Sequence, residues 1–262
     1  MSGLPDVLAR IVARRRERLG VAADTVVLEA AAPDPGRFDL AHPFLGALAA
    51  RRGRAVIAEV KMGSPRLGSL HGRVDPIMQA KSYAAHGAAA LSVVVEPDFF
   101  HGDWELLAAC REASGLPAIA KDFVVSPAQL DAARAAGAAA ILLVAALYTP
   151  AELARLAAAA RRRGLVPLVE THIPEEVAKL DGAEWELVGV NNRDLRTFEV
   201  DLARSLALAP ALPAGALRVA ESGIRSAAEI ARLAAGGFDA FLIGESLLLA
   251  PDPGALLAEL AG

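Results

Sequence analysis

The sequence predicts an α/β fold: a single (β/α)8, or TIM, barrel with an extra N-terminal helix. Three observations carry this expectation. Eight apolar runs rich in β-branched residues alternate with alanine-rich helical patterns. The runs begin about 20 to 35 residues apart, which leaves room for one helix and two loops in each interval. No composition shift and no Pro/Gly/Ser linker divides the 262 residues, a length that suits one large barrel. A doubly wound sheet would want a Gly-x-Gly-x-x-Gly turn after its first strand, and none stands there.

Taken in order, the chain opens with an amphipathic helix expected over Leu4 to Leu19. The loosest stretch follows, Ala22 to Phe44, broken by Pro33, Pro35 and Pro43. Residues 1–50 read as a helical extension and 51–262 as the barrel core, together one domain. The expected strands are Val56–Lys61, Ala90–Glu96, Pro117–Phe123, Ala139–Ala146, Val166–His172, Leu187–Asn192, Leu217–Ser222 and Ala240–Gly244. Near-continuous apolar strands are buried on both faces, as in a parallel sheet. Ser126 before Pro127 reads as a helix N-cap, as do Asp103 and Ser226. Gly87, Gly137, Gly164 and Gly236 follow alanine- or arginine-rich runs, where a left-handed C-cap glycine is expected.

Composition excludes several classes. Apolar residues make up 54 % of the chain, a membrane-like share, but 59 of them are alanine. Without alanine the share falls to about a third, ordinary for a globular domain. The longest stretch free of charge, Ala135 to Ala151, falls short of the ~20 residues of a spanning helix. No membrane partner is therefore expected. A net charge of −4, from 27 basic and 31 acidic side chains, argues against nucleic acid as a partner. The two basic runs, Arg14–Arg15–Arg16 and Arg161–Arg162–Arg163, read as solvated helix faces. One cysteine excludes a disulfide framework. Cys110 sits in a helical pattern, Leu106 to Glu112, and reads as a packed thiol. Met1 to Arg16 holds no apolar signal core, so a cytoplasmic protein is expected. The acidic balance and the lack of an obvious apolar patch in the sequence point to a monomer.

Polar residues break the strand pattern at one end only. The strands begin apolar and end polar, at Glu59 and Lys61, at Lys121, at Glu170, at Asn191 and at Glu221. In a barrel the C-terminal strand ends form the face that bears the site. Uncompensated buried charges cost several kcal/mol each, so a cluster of them is poor value for stability. Two lysines and three carboxylates in one cavity can divide into ionised and protonated partners, as acid–base catalysis requires. No metal-ligand set and no cofactor motif appears. His42, His71, His86 and His101 read as surface residues in loops or helices, and His172 is expected to point away from its neighbour Glu170.

A second signal is an anion pocket. The seventh strand ends Glu221-Ser222-Gly223-Ile224 and the eighth Ile243-Gly244-Glu245-Ser246. Glycines there expose backbone N–H groups at helix starts, and barrel phosphate sites commonly follow strands seven and eight. Arg193 after the sixth strand and Lys61 with Ser64 after the first would add to it.

In this order the motifs resemble the indole-3-glycerol-phosphate synthase family of tryptophan biosynthesis. The matching segments are Ala58-Glu-Val-Lys-Met-Gly-Ser-Pro65, Phe99-Phe-His-Gly102, Lys121-Asp-Phe123, Leu168-Val-Glu-Thr-His172, Gly189-Val-Asn-Asn-Arg-Asp-Leu195, Thr197-Phe-Glu-Val-Asp201, Glu221-Ser-Gly-Ile224 and Ile243-Gly-Glu-Ser-Leu247. The resemblance implies a lyase that closes and decarboxylates a phosphorylated small molecule, 1-(2-carboxyphenylamino)-1-deoxyribulose 5-phosphate, with no cofactor. It implies Lys121 as general acid and Glu170 as general base, with Lys61 on the substrate carboxylate and Glu59 holding Lys61. Asn191 and Glu221 would orient substrate hydroxyls. Ser64, Arg193, Ser222, Gly223, Gly244 and Glu245 would bind phosphate, the last through its main-chain N–H. Pro65, Phe100, Phe123 and Leu142 would wall the aromatic ring. The chain departs from the family pattern at Arg66, where a second serine is usual, at Val95 and at Thr171. Two other readings stand beside this one: a non-catalytic binding barrel, and a phosphoribosylanthranilate isomerase-like barrel, whose usual catalytic cysteine Cys110 does not match.

Overall fold

The structure, a computed structural model, describes residues 6–262 apart from 24, 31 and 66. Eight parallel strands close into a barrel: β1 (Ala55–Val60), β2 (Ala90–Val94), β3 (Ala118–Lys121), β4 (Ala140–Val144), β5 (Val166–Thr171), β6 (Leu187–Asn191), β7 (Leu217–Glu221) and β8 (Ala240–Ile243). Each strand pairs with its neighbour in sequence, and β1 closes the ring against β8. The expected barrel is therefore observed, with all eight strands in their predicted places and their polar ends trimmed by a residue or two. Nearly every strand residue is buried, which is why these runs carry no alternation of polar and apolar positions.

The helices are α1 (Asp6–Leu19), α2 (Pro43–Ala49), α3 (Pro76–Ala85), α4 (Trp104–Ser114), α5 (Pro127–Ala135), α6 (Pro150–Arg162), α7 (Pro174–Val177), α8 (Ala203–Leu208), α9 (Ala227–Ala235), α10 (Glu245–Leu249) and α11 (Pro253–Ala261). Asp103, Ser126 and Ser226 cap their helices as expected, and Asp75, Thr149 and Asp252 do the same. Gly87, Gly137 and Gly164 are left-handed, but Gly236 is not: its φ is −77°, and Gly237 takes the left-handed turn at +92°. A Cβ at Gly236 would strike the Leu206 side chain, so this glycine serves close packing instead. In α6, Ala157 and Ala160 are fully buried. Alanine's small side chain lets that helix lie close on the sheet, and its helix propensity is high. Among the described residues no helix is long and apolar enough to cross a membrane. Leu4, where the sequence would start the first helix, lies outside the described residues, as does Arg66.

The two basic runs are not solvated faces. Arg15 and Arg16 are buried, and Arg15 Nη2 meets Asp122 Oδ2 at 2.5 Å just beyond the end of β3. Arg161 is buried as well, with Nη2 2.8 Å from Glu186 Oε2 and Nη1 2.5 Å from Asp34. Successive residues of a helix point about 100° apart, so three in a row cannot share one face. Arg14 alone of the first run stays half exposed.

These arginines fasten the extension. Arg15 anchors α1 across the mouth of the barrel. From there the described residues between 20 and 42 carry no helix or strand and lead to the opposite end, held by Val27 N on Val125 O, Asp34 on Arg161 and Phe38 N on Glu186. There α2 buries Phe44, Leu45 and Leu48 beneath β1 and β2. Replacing Arg15 by alanine leaves Asp122 buried with Gln129 as its one side-chain hydrogen-bond partner among the described residues. Urea unfolding of Arg15→Ala is expected to show a loss of about 3 kcal/mol, the low end for breaking a buried pair. A loss well under 1 kcal/mol would show that the pair does not hold α1.

Candidate active site

Glu59 with Lys61, Lys121, Glu170 and Asn191 rise from different strands toward the same mouth. Glu59 of β1 sits between two cations. Its Oε1 is 2.9 Å from Lys61 Nζ and its Oε2 is 3.4 Å from Lys121 Nζ. Lys121, at the end of β3, also lies 3.4 Å from Glu221 Oε2 of β7. Burial alone would raise the Glu59 carboxyl, but Lys61 and Lys121 outweigh it and hold it at about 2. Burial likewise disfavours the Lys121 ammonium, yet Glu59, Glu221 and Glu170 together keep it charged, above the ordinary lysine value.

Glu170 and Glu221 form a second arrangement. Both are buried, and their carboxyl groups interact. Glu221 is raised, first by burial and then by the charge of Glu170. Burial opposes ionisation of Glu170 too, but His172 and Lys121 overcome it and hold that carboxyl below its ordinary value. Two like charges this deep oppose each other, which favours the ionised form at Glu170 and the protonated form at Glu221.

His172 corrects an expectation. The sequence reading turns it away from Glu170, yet its Nε2 lies 3.3 Å from Glu170 Oε1. Residues two apart on an extended segment share a side, and Thr171 is the one that faces away, donating to Gly189 O at 2.8 Å.

Glu59, Lys61, Ser64, Pro65, Phe100, Lys121, Phe123, Leu142, Glu170, Asn191, Arg193, Ser222, Gly223, Gly244 and Glu245 all line one cavity at the C-terminal end of the barrel. Glu221 does not. It is fully buried and reaches the cavity only through Lys121 and Glu170, so it is not placed to touch a substrate hydroxyl itself. Phe100 and Phe123 face each other with centroids 6.3 Å apart, beside Leu142 and Pro65. Val7 and Ile11 of α1, with Leu195 and Phe198, extend this apolar wall, and nothing in their local sequence marks them for it. Arg193 Nη2 is 3.2 Å from Glu245 Oε2, and the Arg193 backbone N–H donates to Asn191 Oδ1. Cys110 is buried in α4 and is not among the cavity residues.

Two supporting residues, Gly189 and Asn192, have no role in the sequence reading, and Gly244, expected there only at the phosphate, has a second one. A Cβ at Gly189 of β6 would overlap Glu221 Oε1, and one at Gly244 would overlap Glu59 Oε1. Each glycine makes the hole that a carboxylate fills. Asn192 donates to Glu221 O at 2.9 Å and Ser222 O at 3.2 Å while its Oδ1 accepts from Ser205. It braces Ser222, a non-glycine residue in the left-handed region at φ 66°, which costs about 1 to 2 kcal/mol. A glycine inside a buried strand and an amide beside a site residue were the only signals available, and both are weak alone.

Comparison with known proteins agrees with this geometry. Residues 8–260 match the family described as indole-3-glycerol phosphate synthase. The chain is 41 % identical over 263 residues to the indole-3-glycerol phosphate synthase of Albidiferax ferrireducens, covering 98 % of each chain. It is 43 % identical over 264 residues to that of an Azoarcus species, covering 99 % of this chain and 100 % of the other. Against that of Koribacter versatilis it is 46 % identical over 213 residues, 81 % of this chain and 82 % of the relative. Among solved structures, thiamine phosphate pyrophosphorylase from Pyrococcus furiosus superposes with a TM-score of 0.56 at 15 % identity, covering 80 % of this chain and 95 % of that one; at that identity the likeness is one of fold. With a family match across nearly its whole length and relatives above 40 % identity, the chain belongs to the indole-3-glycerol phosphate synthase family.

Proposed function

We propose that the cavity converts 1-(2-carboxyphenylamino)-1-deoxyribulose 5-phosphate to indole-3-glycerol phosphate, carbon dioxide and water. One observation carries this reading: Lys61 and Lys121, both cradled by Glu59, stand with Glu170, held below its ordinary value, in a cavity that also holds an apolar wall of Pro65, Phe100, Phe123 and Leu142. That arrangement offers proton donors, a base and a bed for an aromatic ring.

The proton balance fits those groups. The ring carbon attacks the ribulose carbonyl, and the oxygen takes a first proton from Lys121. Loss of CO2 returns the bond electrons to the ring. The same oxygen takes a second proton and departs as water. Glu170 removes one proton as the indole becomes aromatic. Decarboxylation of a carboxylate consumes one proton, so the net supply is a single proton from solvent. Lys121 suits the acid's work because its surrounding carboxylates keep it charged, and it can be recharged between turnovers. Lys61 would face the substrate carboxylate. Asn191 would orient the sugar hydroxyls, with Glu221 acting on them through its neighbours. Arg193, Ser64, Ser222, Gly223, Gly244 and the Glu245 N–H would hold the phosphate, and Pro65, Phe100, Phe123 and Leu142 the ring. The same reading takes the working unit to be one domain, a monomer of the cytoplasm, supported by the mild acidic balance.

Purified protein mixed with the aminodeoxyribulose phosphate should generate indole fluorescence, and silence at micromolar enzyme would overturn the reading. Lys121→Ala and Glu170→Gln are each expected to lose at least ~10²-fold in kcat, the low end for acid–base groups. Near-normal rates in either would remove that residue's role. Arg193→Ala should raise KM more than it lowers kcat, since a phosphate grip is shared by ground and transition states; an unchanged KM would count against it. Gly189→Ala should lower kcat at least ~10-fold while leaving the barrel folded, because its Cβ displaces the Glu221 carboxylate. Full activity there would show that Glu221 can move without consequence.

A further inference from the structure

His172 and Glu176 are buried beside the site, outside the roles described so far. Glu176 stands in α7, directly after the β5 loop. Its Oε2 accepts from the His172 backbone N–H at 2.7 Å and lies 3.0 Å from His172 Nδ1. The imidazole is thus gripped from behind, and its other nitrogen lies 3.3 Å from Glu170 Oε1, within ion-pair distance but not aligned as a hydrogen bond. Thr171 between them pins the backbone to Gly189 O. Three groups in a row, carboxylate, imidazole and carboxylate, therefore end on the oxygen of the proposed base.

We propose that His172, braced by Glu176, is a positioning residue that keeps Glu170 the ionised member of the Glu170–Glu221 pair and so makes it the base. This rests on the assignment of Glu170 as base. The physical argument concerns a shared proton. Glu170 of β5 and Glu221 of β7 are buried together, and both face Lys121 of β3, which in turn faces Glu59 of β1. Lys121 stands 3.4 Å from Glu221 and by itself favours charge there, so ionising Glu170 instead needs a cation on its own side. Of the two carboxyls His172 is within ion-pair distance of Glu170 only, and Glu170 and Glu176 on its two sides raise the imidazole to about 10 in spite of its burial. A cation on one side of the pair sends the proton to the other side, to Glu221. Without it, the retained proton would spend time on Glu170, and each such molecule would lack its base. Glu176 also reaches back to an N–H at the start of α7, as a helix cap would. That capping function alone would affect stability and leave the pH dependence of turnover untouched.

The test uses the full-length enzyme and the aminodeoxyribulose phosphate. For His172→Asn we expect kcat lower by about tenfold, KM within about threefold, and the acidic limb of the kcat profile moved up by about one pH unit. The sign follows from the charge: removing a cation makes the carboxyl easier to protonate, so the base is lost at higher pH. Glu176→Gln keeps the acceptor for the His172 N–H and should move the limb in the same direction by less. In a Glu170→Gln background, His172→Asn should cause no further loss beyond about twofold, since the group it serves is already gone. An unmoved acidic limb in folded His172→Asn, or losses that multiply in the double variant, would overturn the proposal. If His172→Asn does not fold, Glu176→Gln decides by the same limb. Near-normal turnover in Glu170→Gln would instead remove the base assignment itself; loss of activity there with unmoved limbs in the other two would remove the role of His172 alone.

Discussion

The ammonium of Lys121 is the group on which the site depends. It stands at the end of β3 and is held by carboxylates from β1 and β7, strands that reach it only because the sheet closes. A charge at this depth costs several kcal/mol unless it is paired. Here the compensation is arranged as a chain: Lys61, Glu59, Lys121, Glu221, then Glu170 and His172. Each member sets the ionisation of the next. Glu59 and Lys121 each answer two partners of opposite charge, and the ionisation of Glu170 is tied to that of Glu221.

The barrel makes room for that chain by giving up packing at its rim. Gly189 and Gly244 stand beside the two carboxylates that need space, and a methyl group at either position would push them out. Ser222 is held in a left-handed conformation by Asn192, which itself is anchored to Ser205. Strain and missing side chains gather at the polar end of the sheet, and the rest of the strands are apolar apart from Ser92 and Arg218. Concentrating the unfavourable terms in one layer leaves the core below it free to supply the stability they consume.

The N-terminal extension serves the same mouth from outside. Arg15 ties α1 to Asp122, the residue next to Lys121, and Val7 and Ile11 hang from that helix into the cavity. The segment that follows is held along the flank by Glu29, Asp34 and Phe38 before α2 packs under the opposite end. Two buried guanidinium groups, Arg15 and Arg161, thus fix a stretch that lacks regular structure of its own. A planar fork with several donors can satisfy two carboxylate oxygens at once, which a lysine in either place could not do.

Much of this protein was legible along the chain. Eight apolar runs, three side-chain caps and three left-handed glycines are local features, decided by residues within a few positions of each other. The candidate site was legible for a related reason: Glu59, Lys61, Lys121, Glu170 and Asn191 are improbable in buried strands unless chemistry requires them. The tertiary structure decided what depends on partners far apart in sequence. It buried Arg15 and Arg161 in runs that looked solvated, because their carboxylates lie 107 and 25 residues away. It set Glu221 behind Lys121 rather than on the cavity wall, and gave Gly189 its purpose as the space beside that carboxylate. It also turned His172 onto Glu170, although strand alternation alone should have placed them together. Residue type and period report what a position can tolerate; which charge it meets is set only when the eighth strand closes on the first.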